Sequence, residues 1–270
     1  FKPCIHIQGI SNGYITHPSM EDFLRLGNLY KSLKKYLSTI YQSYYALKAD
    51  YFVFQTLHAE NSFRKKFKIS KSKTYIISNA YDSKLKAYFD EIIPTNLDNK
   101  SNINIFCPGA AYIHKGFQFI HAIAVELRKI SNFDIKFVLT IPPQEKLWIS
   151  IHKNAKIRGV SDMIVNIGPF AYGDLIQLLE QADIVFVPSL FETFSASYIE
   201  AMCAAKTLVV ADKYFARDIC RDYAFYLNPK KPKEAAQTLL KSFSQISNTI
   251  ENREKAEIIL QRYGNQEDKF

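Results

Sequence analysis

The chain has 270 residues, 47% of them apolar and 23% charged, and a net charge of +9. This is the composition of a globular protein that can bury a sizeable core in one large or two smaller domains. No apolar run approaches the roughly 18 residues that a membrane-spanning helix needs. The four cysteines, at positions 4, 107, 203 and 220, form no CxxC pair. Their placement favours a reducing cytosol over a disulfide framework or a zinc site.

The positive charge is concentrated in residues 25–73, where eleven Lys and Arg residues face only Asp50 and Glu60. A concentrated basic region favours an anionic partner, such as a phospholipid, a pyrophosphate-linked acceptor or a nucleic acid. A solvated lysine-rich surface is the alternative. No recognised nucleic-acid module accompanies the charge, so nucleic-acid binding is the least favoured of the three.

The first hundred residues predict a partial α/β domain. Residues 4–7 are typical of a short strand that ends at Gln8-Gly9, and residues 51–54 and 75–77 predict two more strands. Residues 20–47 have helical spacing and carry lysines and tyrosines, which fits a membrane-surface helix, although an aromatic stripe at this spacing is also typical of a core. Residues 59–67 predict a basic helix, and the polar residues 81–102 predict a linker with a domain boundary near residue 100.

The second half predicts a complete domain. Strands are expected at 103–107, 135–139, 163–167, 184–187, 208–210 and 224–227, and helices at 117–129, 175–181, 197–205 and 232–243. This alternation indicates a doubly wound parallel sheet. We therefore expect a partial Rossmann-like domain with its linker over residues 1–100, a complete Rossmann-like domain over 101–245 and a helical segment over 246–270. Three strands are few for the first domain, which is expected to be the latter part of a larger one.

Two glutamates with seven residues between them, Glu192 and Glu200, follow the strand at 184–187 and the break Pro188-Ser189. One lies in a loop and the other in the first turns of a helix, at the sheet edge where α/β proteins bind ligands. A loop carboxylate such as Glu192 is more naturally a ligand than a support. For Glu200 a capping box with Ser197 is an equally good explanation.

Other candidate residues follow the same edge of the predicted sheet. Gly109 and Lys115 stand in a loop between a strand and a helix, where a lysine can neutralise a pyrophosphate. The helix start at Ser195–Ser197 offers free amides to an anion, and Gly168 permits close backbone approach to a ligand. Taken singly, the glycines are as readily explained as turns. The histidines have no metal-ligand spacing, and no Asp-x-Asp pair is present, so no metal is expected.

Together these residues resemble the signature of the retaining glycosyltransferases of family 4, also called group 1. The motif that carries the resemblance comprises Pro188-Ser189, Glu192, Phe194-Ser195, Glu200-Ala201-Met202 and Thr207-Leu208-Val209-Val210. Further matches are Asn79-Ala80-Tyr81-Asp82, Gly109, Lys115-Gly116, Gly168, Asp222-Tyr223-Ala224 and Asn228-Pro229. The similarity extends in order over about residues 50–235.

The resemblance implies a GT-B fold, with an N-terminal acceptor domain and a C-terminal domain for a UDP- or GDP-linked sugar. It assigns the pyrophosphate to Lys115, the donor sugar to Glu192 and the ribose hydroxyls to Glu200. Gly109, Gly168, Phe194 and Ser195 would complete the donor site. On the acceptor side, it suggests His6, Gln8 and Gly9.

The sequence departs from the family at several of these positions. Ala110 and Ala111 stand where an arginine usually partners the lysine, and Gln8 stands where a histidine is common. Ala205 and Thr207 replace a usual glycine and proline.

The sequence thus predicts a metal-independent, retaining hexosyltransferase without a cofactor, acting on a lipid-linked or polysaccharide acceptor in the synthesis of cell-surface polysaccharide or glycolipid. We expect it in the cytoplasm, peripherally on the inner face of the membrane through residues 25–73. The alternative is a catalytically degenerate nucleotide-sugar-binding or partner module of the same fold.

Overall fold

The computed structural model describes residues 4–24, 28–91, 101–246 and 249–264. Within them the strands are β1 (Ile7–Gly9), β2 (Tyr51–Phe54), β3 (Thr74–Ile76), β4 (Asn102–Cys107), β5 (Asp134–Leu139), β6 (Ile164–Asn166), β7 (Ile184–Val187), β8 (Thr207–Ala211) and β9 (Phe225–Leu227). The helices are α1 (Gly13–Thr16), α2 (Met20–Leu24), α3 (Leu29–Ala46), α4 (Leu57–Phe67), α5 (Ser83–Glu91), α6 (Ile120–Ile130), α7 (Lys146–Ile157), α8 (Leu175–Gln181), α9 (Ala196–Cys203), α10 (Tyr214–Cys220), α11 (Pro232–Ser242) and α12 (Thr249–Leu260).

Contacts divide the chain into two compact units. The N-terminal unit comprises Phe1–Asn79, Phe191–Ser195 and Lys213–Ile219, and the C-terminal unit comprises Ala80–Leu190, Ala196–Asp212 and Cys220–Phe270. This division falls at Asn79, whereas the sequence predicted a boundary near residue 100. The difference arises because α5 lies where a linker was expected. Leu85 and Phe89 are one helical turn apart in α5, and both are buried.

The N-terminal unit has a parallel sheet in the order β1-β2-β3. Its core is formed mainly by Ile10, Ile15, Phe52, Phe54 and Phe63. The alternation of buried and half-buried residues in β2 matches a strand whose two faces are covered unequally.

Two predicted elements of this unit differ in the structure. Strand β1 is Ile7–Gly9 and not residues 4–7, because Asp50 binds the backbone N–H of His6 at 2.8 Å and pairing with β2 begins only at Ile7. The helix predicted over 20–47 is two helices, α2 and α3. Asn28 accepts hydrogen bonds from the amides of Tyr30 and Lys31 and so begins α3 as its N-cap. Residues 25–27, including the predicted Leu26, lie outside the described residues.

The C-terminal unit confirms the predicted doubly wound α/β domain. Its six strands are parallel in the order β6-β5-β4-β7-β8-β9. Every residue of β7 and β8, which are both paired on two sides, is buried, as continuous apolar runs in a parallel sheet require. The chain builds outward from β4 to β6 and then resumes on the other side of β4 with β7. The two strands at this reversal, β4 and β7, therefore flank the position where doubly wound sheets bind ligands.

Helices cover this sheet. Helix α11 packs on α6, and α12 packs on α9. Cys107, Cys203 and Cys220 are buried and free. Among the described helices, none is long and apolar enough to cross a membrane.

Candidate functional site

The connection after β4 places Lys115 over Gly109. Gly109 adopts φ +150°, and a β-carbon built on it would lie 3.6 Å from Cδ of Lys115 and 3.0 Å from the Phe117 ring. Thr140, which follows β5, accepts a hydrogen bond from the Gly109 amide at 3.0 Å and lies 3.1 Å from the Gly109 carbonyl oxygen, to which its hydroxyl donates. Two hydrogen bonds with Thr140 therefore fix the Gly109 turn, and the aliphatic part of the Lys115 side chain lies beside it.

Gly116 brings this connection against the end of β7. Its φ is +78°, and a β-carbon there would stand 2.1 Å from the Pro188 carbonyl oxygen. The Leu190 amide also donates to the His114 carbonyl at 2.7 Å. Only glycine permits this approach, which holds Lys115 at the reversal between β4 and β7.

Glu200 lies in α9 and is electrostatically coupled to Lys115. Burial raises the pKa of Glu200 to about 7, while the Lys115 ammonium and a hydrogen bond from Ser197 oppose the rise. A carboxyl with this pKa changes between its protonated and ionised forms near neutral pH. Helix α9 begins at Ala196, so Ser197 lies inside the helix and the two side chains bond to each other. The capping-box explanation of Glu200 is therefore wrong.

Asp82 and Tyr172 join this cluster, and the sequence analysis did not include them among the site residues. The Tyr172 hydroxyl donates to Asp82 at 3.1 Å, while the other Asp82 oxygen accepts from the amides of Lys84 and Leu85 at the start of α5. The charge of Asp82 contributes to the raised pKa of Glu200. Asp82 belongs to the segment Asn79–Asp82 that matched the family, and this was the available signal for it. Tyr172 gave no comparable signal.

Gly168 follows β6 with φ +75°, and a β-carbon built on it would meet no atom within 4 Å. The side chain of Asn166 holds the neighbouring connection, because its oxygen accepts from the Ile141 amide at 3.0 Å and its amide donates to the Ile141 carbonyl at 2.8 Å. Gly168 is thus required by its backbone conformation rather than by crowding.

The segment Phe191–Ser195, which carries Glu192, Phe194 and Ser195, belongs to the N-terminal unit. Glu192 is half-buried, and its backbone carbonyl oxygen lies 2.9 Å from Nε2 of His17. Ser195 is buried and Phe194 half-buried. The structure thus brings Lys115, Gly109 and Glu200 together in one unit and assigns Glu192 to the other.

The acceptor-side candidates lie together in the N-terminal unit. His6, Gln8 and Gly9 line an open groove of about 680 Å³, together with residues of α3 and with Lys48. Gln8 is half-buried and donates to the Gly9 carbonyl at 2.9 Å, whereas His6 is exposed.

A histidine pair, His17 and His58, was missed by the sequence analysis, which considered these two residues only as possible metal ligands. The two rings lie 4.8 Å apart in an edge-on arrangement. Burial lowers the pKa of His17 to about 4, and His58 adds to this shift. Among the described residues, no group of three or more His, Cys, Asp or Glu side chains could hold a metal ion.

The sequence profile of the glycosyl transferases group 1 matches residues 89–257, which is more than half of the chain. The chain belongs to this family. A comparison with curated protein sequences gave no match.

Solved structures show the same fold. A glycosyltransferase from Rickettsia africae is 18% identical with a TM-score of 0.64, and the alignment covers 80% of this chain and 60% of that one. A structure described as trehalose-6-phosphate from E. coli bound with UDP-2-fluoro glucose is 14% identical with a TM-score of 0.70, and the alignment covers 95% of this chain and 64% of that one. WaaG, a glycosyltransferase involved in lipopolysaccharide biosynthesis, is 15% identical with a TM-score of 0.70, and the alignment covers 96% of this chain and 71% of that one. These are GT-B glycosyltransferases, so the predicted fold is confirmed. The chain spans less than two thirds of the length of the first two.

Proposed function

We propose that the protein transfers a sugar from a UDP- or GDP-linked donor to a lipid-linked or polysaccharide acceptor, with retention and without a metal. The observation that carries the proposal is the coupling of Lys115 to Glu200 in the C-terminal unit, beside the reversal between β4 and β7. A cation and a carboxylate at this edge are the two groups that a nucleoside diphosphate needs. The family membership and the UDP-sugar in the related E. coli structure support the same donor class.

Each residue of the C-terminal unit has a role in this proposal. When the bond between the sugar C1 and the diphosphate oxygen breaks, the diphosphate leaves with additional negative charge, which Lys115 offsets electrostatically. The acceptor hydroxyl forms the new bond to C1 and passes its proton to the departing diphosphate oxygen. Glu200 accepts hydrogen bonds from the two ribose hydroxyls in its ionised form. The backbone beside Gly109 and Gly168 approaches the donor, because neither glycine carries a side chain.

The segment Phe191–Ser195 completes the donor site in the proposal. Glu192 meets the donor sugar, and the amides near Phe194 and Ser195 bind the phosphates. His6, Gln8 and Gly9 are proposed to meet the acceptor, because they line an open groove.

Isotopic transfer from UDP- and GDP-sugars to membrane extracts tests the reaction. We expect Lys115→Ala and Glu192→Ala each to lower transfer about 100-fold, the usual effect of removing one stabilising group from a transition state. Lys129→Ala is the control, because this lysine lies in the last turn of α6 and pairs with Glu126. Unchanged transfer in both site variants would contradict the assignment of Lys115 and Glu192 to the donor site.

A nucleotide-binding module without activity is the second candidate. Ala111 packs against the core of the C-terminal unit at one of the two positions where an arginine was expected, so half of the usual cationic clamp is missing. Calorimetric titration with UDP, GDP and ADP separates the candidates. Binding without transfer favours the module, and an absence of binding excludes both.

We further propose that α3 lies on an anionic membrane surface. Its sequence has three lysines and no acidic residue, and it exposes large apolar side chains. These are Leu29, Tyr30, Leu33, Tyr36, Leu37, Ile40, Tyr41, Tyr44 and Tyr45. A cationic helix with exposed leucines and tyrosines matches the headgroup region, where aromatic rings and lysines are both favoured. This would bring the protein to the inner face of the membrane, next to a lipid-linked acceptor.

A further inference from the structure

The loop that carries Glu192 is held to the N-terminal unit by several side chains. The Phe191 ring lies so close to Gly13 that a β-carbon there would be 2.8 Å from its Cζ, and it packs edge-on against Tyr14 at 4.9 Å. The Thr193 hydroxyl donates to the Ser11 carbonyl at 2.9 Å. These contacts hold the residues on either side of Glu192.

His17 holds the backbone of Glu192 itself. Its Nε2 lies 2.9 Å from the Glu192 carbonyl oxygen, and its Nδ1 lies 2.7 Å from the hydroxyl of Thr16. A carbonyl oxygen can only accept, so Nε2 carries a proton and donates. The low pKa of His17 keeps the ring neutral, which leaves Nδ1 to accept from Thr16.

The orientation of the His17 ring is fixed by its neighbours. Phe191 packs against it with centroids 5.2 Å apart, and His58 packs edge-on at 4.8 Å. The backbone amide of His58 in turn donates to Asp218 at 3.0 Å. A donor whose ring is packed on two sides loses little entropy when it binds, so it can fix a loop precisely.

We infer that His17 is a positioning residue that sets the backbone of Glu192, and through it the direction of the Glu192 carboxylate toward the donor sugar. The consequence for catalysis rests on the proposed function of Glu192. The contact itself does not. A misplacement of about 1 Å at such a group can cost on the order of 100-fold in rate.

Three substitutions separate the hydrogen bond to Glu192 from the rest of the ring's contacts. His17→Gln places an amide N–H near the position of Nε2 and keeps the donor. His17→Asn is one carbon shorter, so it can reach Thr16 but not Glu192. His17→Leu fills the space without a donor. His121→Leu is the matched control, because His121 in α6 is a half-buried histidine whose Nδ1 has no hydrogen bond to any described residue.

Amide hydrogen exchange of residues 191–195 and transfer kinetics provide the two measurements. We expect faster exchange and a 10- to 100-fold lower kcat in His17→Asn and His17→Leu, because Glu192 is then misplaced relative to the donor sugar. His17→Gln should restore most of both, and His121→Leu should resemble the wild type.

The inference is overturned if exchange in residues 191–195 is the same in the wild type and His17→Asn, or if His17→Gln behaves like His17→Asn. If His17→Leu does not fold, the comparison of His17→Gln with His17→Asn decides the question. An inactive wild type that shows the expected exchange pattern removes the proposed function but retains the role of His17.

Discussion

Glu200 differs from an ordinary surface glutamate because burial and three neighbours act on one half-buried carboxyl. Burial raises its pKa to about 7, Lys115 and Ser197 oppose the rise, and Asp82 adds to it. In the proposed donor site, ribose hydroxyls donate to the ionised form of Glu200, so nucleotide affinity should increase as the pH rises through about 7. Binding should correspondingly release a proton near this pH.

Asp82→Asn tests this electrostatic coupling. The substitution removes one negative charge near Glu200, so the pKa of Glu200 falls and the carboxylate is ionised at lower pH. Asn also caps helices well, so α5 should keep its start. We expect the rise in UDP affinity to move to lower pH in a calorimetric series from pH 5.5 to 8. Asp134→Asn, which changes an exposed pair with Lys136, is the control. A profile identical to that of the wild type would show that Asp82 has no influence.

At the scale of elements, the contact between Gly116 and Pro188 joins the connection after β4 to the end of β7. A β-carbon at Gly116 would meet the Pro188 oxygen at 2.1 Å, and its φ of +78° disfavours any other residue. Backbone must therefore move if the side chain is enlarged, and Lys115 moves with it.

Gly116→Ala should destabilise the C-terminal unit and weaken UDP binding together. The left-handed conformation costs about 1 to 2 kcal/mol, and overpacking adds about 1 to 3 kcal/mol. Gly159→Ala is the matched control, because Gly159 has φ +67° but an open environment, so only the first cost applies. Urea unfolding followed through Trp148, the one tryptophan of the chain, measures the free energy of unfolding of both variants. Equal destabilisation in the two variants would contradict the predicted clash.

Periodicity predicted the elements that bury apolar residues regularly and missed those that depend on contacts across the chain. Strand β7 and helix α8 have the predicted bounds, because both are compact apolar segments. Helix α5 was missed because five of its nine residues are polar or charged and only Leu85 and Phe89 are buried. Helix α10 is short and was also missed.

At the scale of the whole molecule, the sequence predicted the parallel sheet, which the structure confirms, and a site at one edge of it, which stays a prediction. It did not predict that residues 191–195 belong to the N-terminal unit. The contacts of Thr193 with Ser11 and of Glu192 with His17 join positions more than 170 residues apart. Local patterns carry no information about such pairs. For the same reason, the role of His17 emerged only from the structure.

The net charge of +9 and the exposed apolar face of α3 together lead to the last prediction. Both Lys31 and Lys34 are exposed on this helix. Each lysine near an anionic bilayer contributes about 1 kcal/mol, so the loss of two should weaken binding roughly 30-fold. We expect Lys31→Glu combined with Lys34→Glu, which also introduces two negative charges, to weaken cosedimentation with vesicles of phosphatidylcholine and phosphatidylserine by at least this factor. Vesicles of phosphatidylcholine alone should bind the wild type weakly.

Lys230→Glu combined with Lys233→Glu makes the same change in net charge in the C-terminal unit, at exposed lysines around the start of α11. If attraction depends on net charge alone, the two double variants lose binding equally and α3 is not the docking surface. If α3 carries the contact, the control binds nearly as the wild type does. Leu37→Asn, which removes an exposed apolar side chain and no charge, should then weaken binding at high salt as well, because screening does not affect burial in the headgroup region.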